Sequence, residues 1–369
     1  MPHPNLLRKL ELAGVSGPLL SWFNSYLTDR RQSTLVNGTL STSKQISSGV
    51  VQGSVLGPSL FLLYINDVLK ELNHGVPFLF ADDIKVVYKF SSNSFSFVFL
   101  EVQRDLDSLS RWSRSSGLHF SEQKCHFFSH KCSIPPNALT INDHPLNSRN
   151  EVRDLGLRYS VDFNFSSQVE FQVAKATSLS FHILRNFHLR ETRLALFVSH
   201  IRPLLEFCPS ISGHLTQGCL AAVERVQRRF TKLILSNEPD MSYESRCNHL
   251  RIAPLWKRRL ILNLTLLHKF IYDKAFIAIG PPVFKNSSQP SLRNSDCMLS
   301  TKTSRTSFHF RSFFSTYPRI WNKLPVHLRS EPSTLLFHKQ LRRYLTLEVV
   351  HKLFESQLSL YDLSERGPP

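Results

Sequence analysis

The chain has 369 residues, enough for two or three domains with hydrophobic cores of their own. Hydrophobic residues make up 41% of the sequence, which argues against a disordered chain. No run approaches the length of about 18 uncharged apolar residues that a transmembrane helix needs. The six cysteines form no CxxC pair, and the polar N-terminus lacks the apolar stretch of a signal peptide. We therefore expect an intracellular chain with reduced thiols, in the nucleus or the cytoplasm.

Positive charge is concentrated in the second half of the chain. The net charge is +17, and residues 1–150 carry 14 Lys and Arg against 11 Asp and Glu, whereas residues 151–369 carry 31 against 17. A long basic region is typical of proteins that bind a polyanion, because phosphate contacts supply affinity through counterion release. A basic, solvated helical surface without a ligand explains the composition equally well.

The first 75 residues contain helix, hairpin and loop signals in turn. Apolar spacing and turn residues predict helices at 5–12 and 16–27, a hairpin at 33–47 around Asn37–Gly38, a glycine-rich loop at 49–57 and a helix from Pro58 to about Leu72. Ser16 is suited to the N-cap position of the second helix.

Two adjacent carboxylates, Asp82 and Asp83, stand between two runs of alternating apolar residues, 76–80 and 84–88. The alternation predicts two strands that meet at a tight acidic turn. Such a tip can hold a divalent metal ion, and a merely solvated turn is the alternative. Farther on, the pattern predicts a loop at 91–97, a helix at 101–116 and strands at 118–120, 126–128 and 152–160.

From about residue 165 the apolar spacing is helical. It predicts helices at 166–186, 191–206, 215–236 and 255–278, a loop or linker at 281–310, and final helices at 314–323 and 332–360. In the third of these helices one face is basic and suited to a nucleic-acid backbone, through Arg225, Arg228, Arg229 and Lys232. The opposite face is predicted to be core, through Val223, Val226, Phe230 and Leu233. A solvated face is the alternative for each basic run.

Several motifs occur in a fixed order. The main ones are Ser48–Pro58 with Gln52–Gly53, Leu60–Asp67 and Phe80–Asp83, and they are followed by Lys124–Cys125, Val152–Gly156, Ile201–Glu206, Val223–Arg229 and Trp321–Pro325. In this order they resemble the reverse transcriptase of a non-LTR retrotransposon of the LINE type, jockey-like in its motifs. The resemblance covers most of the chain.

The resemblance implies an α+β fold. Residues 1–160 would be an incomplete polymerase palm, an antiparallel sheet with helices. Residues 161–280 would be a basic, helical, thumb-like region, and residues 281–369 a linker and C-terminal helical extension.

The resemblance also implies site residues. Asp82 and Asp83 would be catalytic and would bind Mg²⁺, with two ions in the complete family site. Phe80 would pack under the turn. The substrate or template would be contacted by Gln52, Gly53, Phe80, Ala81, Lys124 and Gly156. The partners would be an RNA template, a DNA primer and deoxynucleoside triphosphates, with no membrane.

The implied activity is RNA-directed DNA synthesis by two-metal nucleotidyl transfer. The family's other catalytic aspartate lies on a strand that would precede Met1, so we expect this chain to be inactive alone. A non-catalytic nucleic-acid-binding remnant and a translated fossil that does not fold stably are the alternatives. The spacing of Cys125–His126 and His130–Cys132 is too tight for a usual zinc site.

Overall fold

The computed structural model describes residues 1–90, 95–132, 134–135, 137–279, 297–301, 303–346 and 349, with only the backbone of residues 95, 96, 278 and 279. The chain divides into two units, Met1–Asn150 and Glu151–Pro369. Helices joined with small two-stranded sheets make up both, so the predicted α+β class is confirmed. No helix within these described ranges is long and apolar enough to cross a bilayer.

The first unit begins with helices α1 (His3–Leu12) and α2 (Gly17–Leu27), close to their predicted positions. Ser16 occupies the N-cap position of α2, but its side chain makes no capping hydrogen bond. Helix α3 (Leu56–Ile65) begins two residues before Pro58 and continues as a 3₁₀ helix over Asn66–Glu71. The three helices share a buried cluster of Leu6, Leu10, Leu27, Leu60 and Tyr64.

Between α2 and α3 the predicted hairpin is present. It comprises β1 (Arg31–Gln32), β2 (Leu35–Val36), β3 (Thr39–Leu40) and β4 (Lys44–Gln45), with β2 paired to β3 and β1 to β4, all antiparallel. Asn37 and Gly38 have φ angles of 49° and 82°. Such left-handed pairs make the tight turns whose twist matches that of two paired strands.

The acidic hairpin consists of β5 (Val76–Phe80) and β6 (Asp83–Val87), so both predicted strands are confirmed. Helix α4 (Phe95–Ser116) begins earlier than predicted, within the predicted loop at 91–97, of which 91–94 lie outside the described residues. No strand forms at 118–120 in the described structure. The unit ends with β7 (His126–Phe127), β8 (Thr140–Ile141), β9 (His144–Pro145) and β10 (Asn147–Ser148), of which β7 and β10 pair in parallel.

The second unit opens with an antiparallel hairpin, β11 (Glu151–Asp154) and β12 (Leu157–Ser160), where one strand was predicted. Helix α5 (Ser166–Asn186) follows. The predicted helix at 191–206 consists of α6 (Arg190–Leu196), a π-helical turn over Phe197–Ile201 and α7 (Arg202–Leu205).

After a 3₁₀ turn, Pro209–His214, the predicted long helices are present as α8 (Gln217–Ile234) and α10 (Leu255–Tyr272), with the unpredicted α9 (Tyr243–His249) between them. The remaining helices are α11 (Lys274–Ile279), α12 (Ser307–Arg311), α13 (Phe313–Asn322), α14 (Val326–Arg329) and α15 (Thr334–Tyr344). Helix α12 begins within the predicted linker, most of whose other residues are outside the described ranges. The part of the predicted last helix beyond 346 is also outside the described ranges, except for residue 349.

The second unit has two main apolar clusters. In one, α5, α7 and α8 meet the π-helical turn, and Phe197 stacks on Phe230 with ring centroids 4.5 Å apart. In the other, α10, α13 and α15 enclose Trp321, which is fully buried. Burial of large aromatic side chains is a major stabilising contribution in each.

Candidate active site

The acidic hairpin presents its carboxylates at the tip. Phe80 and Asp83 are the last paired residues, so Ala81 and Asp82 form the turn. Ala81 has a φ angle of 50°, in the left-handed region that a two-residue hairpin turn requires. Asp82 therefore lies in the turn, and Asp83 opens the second strand.

Both carboxylates face solvent. Asp82 and Asp83 are exposed, and within the described residues neither accepts a hydrogen bond nor joins an ion pair. No group of three or more His, Cys, Asp or Glu in the described ranges could hold a metal ion. The hairpin thus offers two free oxygen ligands from adjacent residues.

The predicted packing of Phe80 under the turn is wrong. Phe80 lies directly opposite Asp83 and is 64% exposed. Alternation places Leu79 and Ile84 on the inner face, against a buried cluster that includes Val68, and sends Phe80 to the outer face. The aromatic ring and the Asp83 carboxylate therefore share one solvent-facing surface.

A buried carboxylate on α4 holds the other end of the hairpin. Asp105 is 1% exposed and accepts hydrogen bonds from the backbone N–H groups of Asn73 (3.1 Å), His74 (3.3 Å) and Gly75 (3.1 Å). It also accepts one from the Tyr88 hydroxyl, at 2.9 Å. These partners immediately precede β5 and follow β6, so one side chain fixes both strands where they leave the body of the unit.

Burial, and then the hydrogen bond to Asp105, raise the pKa of Tyr88, which keeps its hydroxyl protonated as a donor. Sequence reasoning missed Asp105. The available signal was its position four residues before Leu109 and seven before Trp112, within the apolar stripe of the helix. An acid in such a stripe is either strained or satisfied by partners from elsewhere in the chain.

A second polar group, centred on Asp67, joins α1, α4 and the 3₁₀ helix that follows α3. The ammonium of Lys9 on α1 lies 2.7 Å from the Asp67 carboxylate, and the Trp112 indole N–H donates to the same carboxylate at 3.0 Å. Lys9 also donates to the Tyr64 carbonyl at 2.6 Å. Asp67 is thus occupied by structural contacts.

The loop before α3 contains two predicted site residues, Gln52 and Gly53. Both are exposed, and Gly53 has a φ angle of 79° with open space where a Cβ would lie. Gly57 is different, because a Cβ there would lie 3.1 Å from the Ser54 hydroxyl and 3.2 Å from the Val51 carbonyl. The loop is braced by the Ser54 hydroxyl, which donates to the Val51 carbonyl at 2.7 Å.

Lys124 is an exposed residue at the end of the short 3₁₀ helix Glu122–Lys124. Gly156 belongs to the second unit, in the turn between β11 and β12, with a φ angle of 88°. A Cβ at Gly156 would lie 3.3 Å from the Phe207 ring. The structure therefore brings Phe80, Ala81, Asp82 and Asp83 together on one hairpin. In the same unit, Gln52 and Gly53 lie in a loop and Lys124 in a 3₁₀ helix.

The predicted basic face of α8 is present in part. Arg225, Arg229 and Lys232 are exposed, whereas the guanidinium of Arg228 lies 4.6 Å from the centre of the Tyr243 ring and packs on it. Leu233 is 47% exposed and was wrongly predicted as core. The apolar stripe continues from Phe230 by four residues to Ile234, not by three.

Two buried polar residues explain the Val223–Arg229 motif. Glu224 accepts hydrogen bonds from the backbone N–H groups of Leu255 (2.9 Å) and Trp256 (3.0 Å), which begin α10. The Tyr243 hydroxyl donates to Glu224 at 2.5 Å and accepts from the Gln227 amide at 2.9 Å. Burial, and then the Glu224 charge, raise the pKa of Tyr243. The motif thus joins α8, α9 and α10.

Comparison with known proteins supports the sequence-based interpretation. The family profile described as reverse transcriptase (RNA-dependent DNA polymerase) matches residues 1–159. The chain is 25% identical over 238 residues to the probable RNA-directed DNA polymerase from transposon X-element of Drosophila melanogaster, a match that covers 61% of this chain and 26% of that protein.

Two other relatives have a similar level of identity and also match only over part of their length. The Retrovirus-related Pol polyprotein from type-1 retrotransposable element R2 of Popillia japonica is 24% identical over 258 residues, covering 63% of this chain and 40% of that protein. The RNA-directed DNA polymerase from mobile element jockey of Drosophila melanogaster is 26% identical over 176 residues, covering 45% and 19%.

These matches span between about a fifth and two fifths of the length of the curated relatives. The motif order, the acidic hairpin and the profile match agree with one another. The chain is therefore similar to the reverse transcriptases of non-LTR retrotransposons, and its residues 1–159 match the reverse transcriptase family profile.

Proposed function

We propose that the chain takes part in RNA-directed DNA synthesis, with Asp82 and Asp83 as ligands of Mg²⁺ and with an RNA template, a DNA primer and deoxynucleoside triphosphates as partners. The observation that carries the proposal is the hairpin itself. It presents two exposed, unpaired carboxylates at a tip that is fixed from behind, in a segment that matches the reverse transcriptase family. Carboxylate oxygens are ligands that Mg²⁺ prefers.

The donor set fits one ion better than two. Two-metal nucleotidyl transfer needs ions roughly 3.5–4 Å apart, which stabilise both the attacking and the leaving oxygen. Adjacent carboxylates of one turn supply ligands from one side only, and among the described residues no third ligand joins them. We therefore expect the chain by itself to bind a metal ion weakly and to lack polymerase activity.

Asp105 and the other predicted site residues have defined roles in this proposal. Asp105 fixes the hairpin ends, and the turn at Ala81 sets the direction of Asp82. Gln52 beside the unobstructed Gly53 would contact the nucleotide or template, Lys124 would lie near the triphosphate, and Gly156 would contact the primer backbone.

Metal binding tests the site directly. We expect Asp82→Asn to weaken Mn²⁺ binding to the full chain by at least about tenfold, because it removes a charged oxygen ligand. Asp143→Asn is the matched control, since Asp143 is also an exposed aspartate in a two-residue hairpin turn of the first unit. Electron paramagnetic resonance of free Mn²⁺ measures both. Equal affinity of the Asp82→Asn variant and the parent chain would contradict the proposal.

Primer extension tests the expected inactivity. The full chain, with Mg²⁺ or Mn²⁺ and homopolymer or heteropolymer RNA templates, should give no incorporation above a protein-free control. Incorporation that Asp82→Asn abolishes would show that the chain is an active polymerase and that its ligand set is sufficient.

A non-catalytic nucleic-acid-binding protein is the second candidate. The exposed side chains of Arg225, Arg229 and Lys232 on α8 favour it, because three cations along one helix face can follow a phosphate backbone. It differs in one expectation: salt-sensitive binding of RNA or DNA would be unaffected by Asp82→Asn.

A further inference from the structure

Besides the exposed basic face of α8, the second unit has four neighbouring cationic side chains on three helices. This basic cluster consists of Arg202 on α7, Lys257 and Arg258 on α10, and Arg342 on α15. Arg342 is exposed, and the other three are partly buried. Helix α15 belongs to the part of the chain that was predicted to be a C-terminal extension, so the cluster joins regions that the sequence separates.

Side-chain contacts between α10 and α15 fix the geometry. Thr334 Oγ1 lies 3.2 Å from His268 Nδ1, and His338 Nδ1 lies 3.1 Å from Thr265 Oγ1. From Thr334 to His338 along α15, the contacted residue of α10 moves back from His268 to Thr265. The two helices therefore run antiparallel. The next turn of α15 places Arg342 toward the first turns of α10, where the two cluster residues of that helix lie.

One carboxylate lies among these cations. Glu206, just after α7, forms a two-pronged ion pair with Arg258, in which Nη2 lies 2.9 Å from Oε2 and Nε contacts Oε1. The side chains of Arg202, Lys257 and Arg342 have no hydrogen-bond or ion-pair partner among the residues that the structure describes. Three cationic side chains therefore lack a hydrogen-bond acceptor within the described ranges, beside the one ion pair between Arg258 and Glu206.

The cations affect one another. Burial, and then the charge of Arg342, lower the pKa of Lys257. Burial, followed by the charge of Arg258, lowers the pKa of Arg202, while Glu206 opposes this effect. Like charges brought together in a partly desolvated site destabilise the unliganded protein. A bound polyanion removes that repulsion.

We propose that the basic cluster binds the phosphodiester backbone of a nucleic acid. The proposal rests on the proposed function, because it assumes a nucleic-acid partner, and it goes beyond it by assigning a second contact surface that includes α15. Arg202 and Arg342 supply planar guanidinium groups that bind phosphate oxygens in pairs, and Lys257 supplies a point charge. Arg258 is held by Glu206 and keeps the cluster in place.

Salt-dependent binding of the full chain to a short labelled DNA duplex tests the cluster. The cluster variant is Lys257→Gln/Arg342→Gln. Its matched control is Lys339→Gln/Arg343→Gln, which removes the same two charges from exposed positions on α15. Fluorescence anisotropy from about 50 to about 200 mM salt gives the slope of log K against log salt, to which each phosphate contact contributes roughly 0.9.

We expect the cluster variant to lose about 1.8 from the magnitude of that slope, for two lost contacts, and the control variant to lose none. The charge-preserving variant Lys257→Arg/Arg342→Lys should keep the parent slope. Equal losses in the cluster and control variants would overturn the proposal while leaving nucleic-acid binding intact. So would a loss confined to Arg225→Gln/Arg229→Gln/Lys232→Gln on α8. Absence of binding by the parent chain would overturn both this proposal and the proposed function.

Thermal unfolding without nucleic acid tests independently whether the cations of the basic cluster repel one another. Removing repelling charges should raise the unfolding temperature of the cluster variant above that of the parent chain. A lower unfolding temperature together with an unchanged salt slope would show that Lys257 and Arg342 serve packing alone, and would overturn the proposal.

Discussion

Asp105 and Glu224, one in each unit, are buried carboxylates that accept hydrogen bonds from the backbone of a neighbouring element. Asp105 satisfies the N–H groups of the turn before β5, and Glu224 satisfies those that begin α10. A buried charge without partners is strongly unfavourable, so each carboxylate strongly favours one arrangement of the elements around it. We therefore expect the position of the acidic tip to depend on Asp105, a buried residue.

Substitution of Asp105 tests this dependence. We expect Asp105→Asn to lower the free energy of unfolding by about 2–4 kcal/mol, because the amide leaves backbone donors unsatisfied. Amide hydrogen exchange in β5 and β6 should also become faster than in the parent chain. Urea unfolding and exchange measured by mass spectrometry give the two quantities.

The control is Asp107→Asn on the exposed face of the same helix, which should change neither quantity appreciably. A loss of stability that leaves hydrogen exchange of the hairpin unchanged would show that Asp105 stabilises the unit without fixing the hairpin.

At the scale of elements, the pair α10 and α15 shows how the second unit is held together. His268 is fully buried, with its Nε2 2.7 Å from the Glu331 carbonyl and its ring stacked on Phe337, centroids 4.4 Å apart. Asn322 at the end of α13 adds two hydrogen bonds, one donated to the Leu299 carbonyl and one accepted from its N–H. The Trp321–Pro325 motif therefore has a structural explanation.

This burial predicts a pH dependence. Burial lowers the pKa of His268, so the folded protein holds it neutral while the unfolded chain takes up a proton more readily. The free energy of unfolding should therefore fall as pH falls below the unfolded value of about 6.5 toward the folded pKa. Thermal unfolding at about pH 7.5 and about pH 5.5 measures this decrease, which should be smaller in His268→Gln.

His188→Gln, at an exposed position just after α5, should retain the full decrease of the parent chain. If His268→Gln retains it as well, the decrease arises at other groups.

At the scale of the whole molecule, local periodicity predicted most elements and few of the contacts between them. Helices α5, α8 and α10 and the strands of the acidic hairpin lie close to their predicted positions, because one face of each is buried and the spacing records it. Helix α9 and the parallel pairing of β7 with β10 were missed, since short elements carry too little pattern.

The site was predictable to the same extent. Asp82 and Asp83 were located at the tip because turn and strands are local in sequence, whereas Asp105 and Glu224 take their partners from about 17 to 32 residues away. No spacing rule reveals such a partnership. The outward direction of Phe80 followed from strand alternation, which the resemblance to the family had overridden.

The π-helical turn at Phe197–Ile201 sets the rotational phase of everything that follows it in its helix. Pro203 lacks an N–H and would clash with the carbonyl four residues before it, and the chain accommodates it by bonding the Arg202 N–H to the Phe197 carbonyl instead. The π-helical turn thereby contains one residue more than an α-helical turn would. Since each residue rotates a helix by about 100°, a regular α-helix over the same residues would turn Arg202 and Glu206 about 100° away from their present directions.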